Sequence, residues 1–350
     1  MQKINVLIVD DSGFQRILLQ NMLRDDPRIG KIRFGHDGQD GVQKTVEFSP
    51  DVVILDIIMP RMDGITALKE IMTKKPTPVL LLSALSKHQV SKALKGGLEG
   101  GAVDFLQKPT KKSEWLESQQ QTLISKVIAA SRANVKRLQN SISSNAGQQL
   151  PPREDIKELA LTQKAIIFAA STGGPQTLGF ILSQLPRTTP PIFVIQHIGE
   201  GFTKSLAKTL NLKSEILVKE AVDRQNIQHS TAFVAPGGKF HMEIHSEPNL
   251  SICLAPGPPM NFVRPAANVT MNDAAKIFGK GTLGVILTGM GTDALEGAWA
   301  IKNAGGKIIV EAPESCVVQS MPLKVIKAGL ADIVAPKEEI AAAIRQLGWL

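Results

Sequence analysis

Short apolar runs recur along the chain, each closed by turn or polar residues, with helical periodicity between them. Ile4-Asn5-Val6-Leu7-Ile8-Val9 ends at Asp10-Asp11. The next stretch carries Phe14, Ile17, Leu18, Leu19, Met22 and Leu23 near helical spacing, which predicts an amphipathic helix. Asp51-Val52-Val53-Ile54-Leu55 ends at Asp56, and Pro78-Val79-Leu80-Leu81-Leu82 ends at Ser83. Ala102-Val103-Asp104-Phe105-Leu106 precedes Lys108-Pro109. Runs bounded this way and alternating with helices predict buried parallel strands of a βαβ sheet.

The pattern restarts further on. Ala165-Ile166-Ile167-Phe168-Ala169-Ala170 leads into Ser171-Thr172-Gly173-Gly174-Pro175, which predicts a strand, a tight turn and a helix start. Ile192-Phe193-Val194-Ile195-Gln196 delivers His197. Leu283-Gly284-Val285-Ile286-Leu287-Thr288 is followed by Gly289-Met290-Gly291-Thr292-Asp293. Between the halves, residues 113–138 predict a long amphipathic helix with Trp115, Leu116, Leu123, Ile124, Val127, Ile128 and Leu138. Residues 140–152 are polar and closed by Pro151-Pro152, which predicts a flexible linker. The expectation is an α/β protein of two doubly wound parallel-sheet domains. Residues 1–125 form the first and 164–350 the second, with a helix extension and linker over 126–163.

Composition narrows the class. At about 150 residues per domain, the 350 residues suit two domains. Apolar residues are 43% and charged residues 21%, ordinary for a globular protein and contrary to disorder. The net charge of +8 is spread thinly, so the chain reads as having a solvated surface and no nucleic-acid partner. Cys253 and Cys316 have no CxxC partner, which argues against a zinc site of cysteine type. Apolar runs fall short of a membrane span, and Asp10-Asp11 interrupts any signal peptide, so the expected compartment is the cytoplasm.

Chemistry in such sheets sits at the carboxyl ends of the strands. In the first half that edge gathers Asp10, Asp11, Asp56, Ser83 and Lys108. Each acid taken alone reads first as a helix cap. Together the three carboxylates repel one another and call for a cation, Mg²⁺ first, since the donors are all oxygen. A hydroxyl and an ammonium beside them suit the remaining phosphoryl oxygens.

In the second half, Ser171, His197 and Asp293 each follow a buried strand, which sets them on one edge as a Ser-His-Asp relay requires. Ser171 alone reads either as a helix cap or as a nucleophile beside backbone N–H groups able to hold an oxyanion. The GxSxG elbow is absent. His36, His88, His229, His241 and His245 lack such a context and are expected at the surface or the core edge.

Asp10-Asp11, the segment Leu55–Gly64 with Met59-Pro60 and Asp63-Gly64, Ser83-Ala84 and Lys108-Pro109 resemble the receiver domain of two-component response regulators. The resemblance implies a flavodoxin-like fold in which Asp56 accepts a phosphoryl group from a chemotaxis histidine kinase. Asp10, Asp11 and Asp56 would hold Mg²⁺, Ser83 would sense the phosphoryl group and Lys108 would pair with it. Ile58 departs from the polar side chain common in receivers and bears on the lifetime of that group.

Ser171-Thr172-Gly173-Gly174, Gln196-His197, Ala235-Pro236-Gly237, Gly257-Pro258-Pro259, the segment Gly284–Asp293 and Ser315-Cys316-Val317-Val318 resemble the chemotaxis protein-glutamate methylesterases. That implies a Rossmann-like domain in which Ser171 attacks the γ-methyl ester of a receptor glutamate. His197 would be the base and then the acid, Asp293 its orienting partner, and N–H groups near Thr172 and Met290 the oxyanion donors. The same chemistry on a carboxamide deamidates glutamine, and no cofactor is implied for hydrolysis. The implied partners are the cytoplasmic domains of methylated chemoreceptors, which alone bring the protein to the membrane. The unphosphorylated receiver is implied to restrain the esterase. Three positions depart from the family: Ala294 in place of glycine, Asn268 in place of an acid, and a loop at 260–265 that keeps only Arg264 of a basic cluster. A different class, a phosphorylation-switched binding protein without turnover, predicts no ester hydrolysis. A receiver fused to a DNA-binding output finds no helix-turn-helix pattern.

Overall fold

The computed structural model describes residues 3–83, 87–108, 116–135 and 163–350. The chain divides into two compact units, Met1–Ser144 and Asn145–Leu350.

In the first unit five parallel strands alternate with helices. They are β1 (Ile4–Val9), β2 (Ile29–Gly35), β3 (Val52–Asp56), β4 (Val79–Ser83) and β5 (Asp104–Gln107). Their order is β2-β1-β3-β4-β5, so β1 and β3 lie inside the sheet. Val6–Val9 and Val52–Leu55 are accordingly fully buried. The helices are α1 (Gly13–Leu23), α2 (Gly38–Phe48), α3 (Gly64–Lys74), α4 (Lys87–Gly100) and α5 (Leu116–Ser131).

Two expectations change here. β2 was absent from the apolar pattern, because Lys31 and Arg33 alternate with Ile32 and Phe34 along an edge strand whose burial also alternates. Of the residues at helical spacing in α1, Leu19, Met22 and Leu23 are buried while Phe14 and Ile17 are about half exposed. Trp115, Leu138 and the segment 140–152 lie outside the described residues.

The second unit holds a seven-stranded sheet in the order β15-β14-β13-β6-β7-β10-β8. These strands are β6 (Ala165–Ala170), β7 (Ile192–Gln196), β8 (Leu217–Glu220), β10 (Thr231–Val234), β13 (Thr282–Ile286), β14 (Lys307–Glu311) and β15 (Ile333–Ala335). Every pairing among them is parallel. The chain winds one way from β6 to β7 and returns to the other side of β6 at β13. A doubly wound sheet opens a crevice at that reversal, outside the strand ends. Residues leaving β6, β7 and β13 therefore share one neighbourhood. The helices are α6 (Gly174–Leu182), α7 (Thr203–Asn211), α8 (Ala267–Phe278), α9 (Leu295–Asn303), α10 (Ser320–Lys327) and α11 (Lys337–Gln346).

A small antiparallel sheet, β11-β12-β9, completes the unit, with β9 (Gln225–Asn226), β11 (Phe240–His245) and β12 (Ser251–Pro256). Met242, Ile244 and Ile252 face the core from it. Among the described residues no helix is long and apolar enough to cross a membrane.

Candidate active site

At the end of β6 the backbone turns sharply. The Ser171 N–H donates to Thr288 O at 3.0 Å, and the Gly174 N–H donates to Ser171 O at 2.8 Å. Gln196 Nε2 donates to the same carbonyl at 2.8 Å. Gly173 takes φ of +81°, and a Cβ there would lie 2.5 Å from Val317 Cβ, so only glycine fits this turn. Helix α6 starts after Gly173 with no capping side chain, so Ser171 is not its cap. The Ser171 side chain is buried at the crevice, as is Thr172.

His197 leaves β7 with its N–H on Ala170 O at 3.0 Å. Its Nε2 lies 2.8 Å from Asp293 Oδ2. The two backbone N–H groups opening α8 also converge on Asp293, Ala267 N to Oδ2 at 2.5 Å and Asn268 N to Oδ1 at 3.1 Å. Helix α8 has no capping side chain of its own, so Asp293 serves as its cap from another element. Burial alone raises the pKa of this carboxyl, but the His197 and N–H bonds outweigh it and hold it below its ordinary value. An ionised carboxylate only accepts, so His197 Nε2 carries the hydrogen and Nδ1 is the basic nitrogen. Nδ1 is buried and has no hydrogen-bond partner among the described residues.

Below the turn lies a layer absent from the sequence reading. Thr288 Oγ1 donates to Thr172 O at 3.0 Å and accepts the Val318 N–H at 2.9 Å. The Thr288 N–H donates to Glu311 Oε2 at 2.7 Å. Glu311 is 0% exposed, and burial drives its pKa up to about 7 against partial relief from Thr288 and Ser315. Glu311 closes the apolar run Ile308-Ile309-Val310, the same signal that marks Asp56. Gly289 and Gly291 flank Met290 and direct their N–H groups to Val318 O and Ser320 Oγ.

The first unit brings its strand-end groups together as well. Asp10, Asp11 and Asp56 each offer a carboxylate oxygen within 4.8 Å of the others, an all-oxygen set that fits a hard cation. Helices α1 and α3 are capped by Ser12 and Asp63, which leaves the three acids free of capping duty. Lys108 Nζ lies 2.7 Å from both Asp10 Oδ2 and Asp56 Oδ2. Burial raises the Asp56 pKa to about 6, and the Asp10 carboxylate adds to that against the Lys108 bond. For Lys108 burial pulls the other way, but its two carboxylate partners win and the pKa is raised. Ser83 is buried at the end of β4, with its carbonyl accepting the Lys108 N–H at 2.9 Å. Ile58 is 54% exposed, an apolar side chain at the rim of the site.

His241, expected at the surface or the core edge, takes the inner of those positions. It is buried, its Nδ1 accepts the Ala266 N–H at 3.1 Å, and its Nε2 meets Pro258 O at 2.9 Å. It thereby braces the segment that presents Ala267 and Asn268 to Asp293.

Residues 166–344 match the family described as CheB methylesterase, and residues 6–120 match the response regulator receiver domain. A Methanosarcina acetivorans protein named protein-glutamate methylesterase/protein-glutamine glutaminase 2 is 37% identical over 97% of this chain and 98% of its own length. The chain belongs to the CheB methylesterase family. A CheB relative from Thermotoga maritima, with the same enzyme name, is 38% identical over 98% of both chains. The solved CheB methylesterase catalytic domain from Thermotoga maritima is similar with a TM-score of 0.51 and 41% identity, covering 53% of this chain and 98% of that one.

The departures from the CheB pattern acquire physical content. Ala294 takes φ of +74°, the left-handed region that glycine occupies without strain. Asn268 Oδ1 accepts the Gly297 N–H at 2.9 Å, so it ties α8 to α9 without adding charge beside Asp293. Arg264 donates to the carbonyls of Gly238 and Gly257 and braces its loop. Phe262 at the tip of that loop is 88% exposed.

Proposed function

We propose that Ser171, His197 and Asp293 carry out hydrolysis of γ-methyl esters on chemoreceptor glutamates, under control of phosphorylation at Asp56. The observation that carries this reading is the buried His197–Asp293 pair at 2.8 Å beside a serine on the adjacent strand end. Nδ1 of His197 takes the Ser171 hydroxyl proton as Oγ bonds to the ester carbonyl carbon. The resulting oxyanion is held by backbone N–H groups of the turns at Thr172 and Met290. His197 returns the proton to the departing methoxide, which leaves as methanol. Water then loses a proton to His197, attacks the acyl-serine and releases glutamate and Ser171. On a glutamine side chain the leaving group is ammonia.

In the receiver, Asp56 is the phosphoryl acceptor, and Asp10, Asp11 and Asp56 would hold Mg²⁺, which would supply positive charge beside the phosphoryl oxygens. Lys108 supplies a further positive charge, and Ser83 a hydroxyl at the neighbouring strand end. A chemotaxis histidine kinase is the phosphodonor, and the setting is the cytoplasm.

The decisive experiment is mass spectrometry of methylated receptor peptides incubated with the protein and with Ser171→Ala. Wild type loses about 14 Da per ester or gains about 1 Da per glutamine, and Ser171→Ala leaves the peptides unchanged. Unchanged peptides with folded, phosphorylated wild type favour a binding protein without turnover.

A further inference from the structure

The hairpin of β11 and β12 has two faces of different character. Met242, Ile244 and Ile252 point into the core, which fixes the backbone. The opposite face carries Glu243 and His245 on β11, two residues apart and therefore on the same side. Cys253 on β12 stands directly across from Glu243 in the register. One donor atom from each of Glu243, His245 and Cys253 lies within 4.8 Å of the other two. His245 Nε2 already meets Glu243 Oε2 at 3.0 Å. Asp223 stands alongside, its Oδ1 accepting the N–H of Leu254, the residue after Cys253.

We propose that Glu243, His245 and Cys253 form a divalent transition-metal site, with Zn²⁺ as the preferred ion. A thiolate, an imidazole and a carboxylate together suit Zn²⁺ and are poor ligands for Mg²⁺ or Ca²⁺. Three protein ligands leave a fourth position for water or for the Asp223 carboxylate. The site stands on paired strands packed against the core, so only side-chain torsions need to adjust. Metal binding displaces the thiol proton, and affinity therefore rises with pH. The three ligands are distinct from Ser171, His197 and Asp293. Cysteine spacing in the sequence gave no sign of it, because the three ligands come together only through the hairpin register.

Titration of the full chain with Co²⁺, followed by the thiolate-to-cobalt absorption in the near ultraviolet, tests the proposal. One equivalent should raise the band and Zn²⁺ should displace it. Cys253→Ser should abolish the band. His245→Ala should weaken binding by about tenfold or more. Cys316→Ser and Asp56→Asn should keep both band and affinity, which separates this site from the other thiol and from the receiver acids. Absence of the band in wild type, its survival in Cys253→Ser, or unchanged affinity in His245→Ala each overturns the assignment.

Discussion

Glu311 Oε2 accepts the backbone N–H of Thr288 at 2.7 Å, and the carbonyl of Thr288 in turn accepts the N–H of Ser171. A buried carboxyl is thus one residue removed from the proposed nucleophile. Ser315, Lys337 and Glu338 are the other polar and charged groups that act on it.

That carboxyl makes stability depend on pH. In the fold it titrates at about 7, against an ordinary value of 4.5. Between those values the folded chain keeps a proton that the unfolded chain has lost. Stability therefore falls as pH rises across this window and levels off above it, by up to about 3 kcal/mol. Glu311→Gln keeps an acceptor for Thr288 and removes the slope. Its urea midpoint should exceed that of wild type at pH 8 and approach it at pH 5. A difference independent of pH would mean that Glu311 is already ionised in the folded chain.

The His197 tautomer is a direct readout of its pairing. Nitrogen-15 spectra of the neutral imidazole should show hydrogen on Nε2 and a bare Nδ1. Asp293→Asn removes the anion that holds this state and should lower kcat/KM by on the order of 10³-fold or more. A spectrum with hydrogen on Nδ1 would refute the assignment of that nitrogen as base.

Gly289 gives a steric test. A Cβ there would stand 2.7 Å from Ser171 Cβ and 3.2 Å from Ser171 N. Gly289→Ala should displace Ser171, the proposed nucleophile, and reduce turnover about 10²-fold with a cooperative unfolding transition retained. Turnover equal to wild type would show that the Ser171 position is not critical.

Phosphorylation supplies a fourth prediction. Asp56→Asn should hold the full chain at its basal rate with or without acetyl phosphate and Mg²⁺, whereas wild type is stimulated. A chain starting at Lys164 should exceed the unphosphorylated full chain. Stimulation of Asp56→Asn, or of wild type in excess EDTA, would displace the proposed acceptor and ion.

The strand ends were legible because buried parallel strands are continuous apolar runs, and their terminal polar residues stand out. Asp10, Asp56, Ser171 and His197 were found in that way. β2 escaped because Lys31 and Arg33 interrupt an edge strand. The bracing role of His241 is not legible, because nothing local distinguishes a buried hydrogen-bonded histidine from an exposed one. Gln196 and Thr288 act through contacts between strands, and Ala267 and Asn268 act through backbone N–H groups. No side-chain pattern announces those roles. Glu311 ends an apolar run as Asp56 does, but no surrounding motif marks it.

Asp293 joins two jobs in one carboxylate, since it aligns His197 and closes the amino end of α8. Fraying of that helix end and misalignment of the proposed base are consequently one event. Hydrolysis should therefore respond to warming like a local thermometer, failing when the first turn of α8 loosens and before the seven-stranded sheet melts.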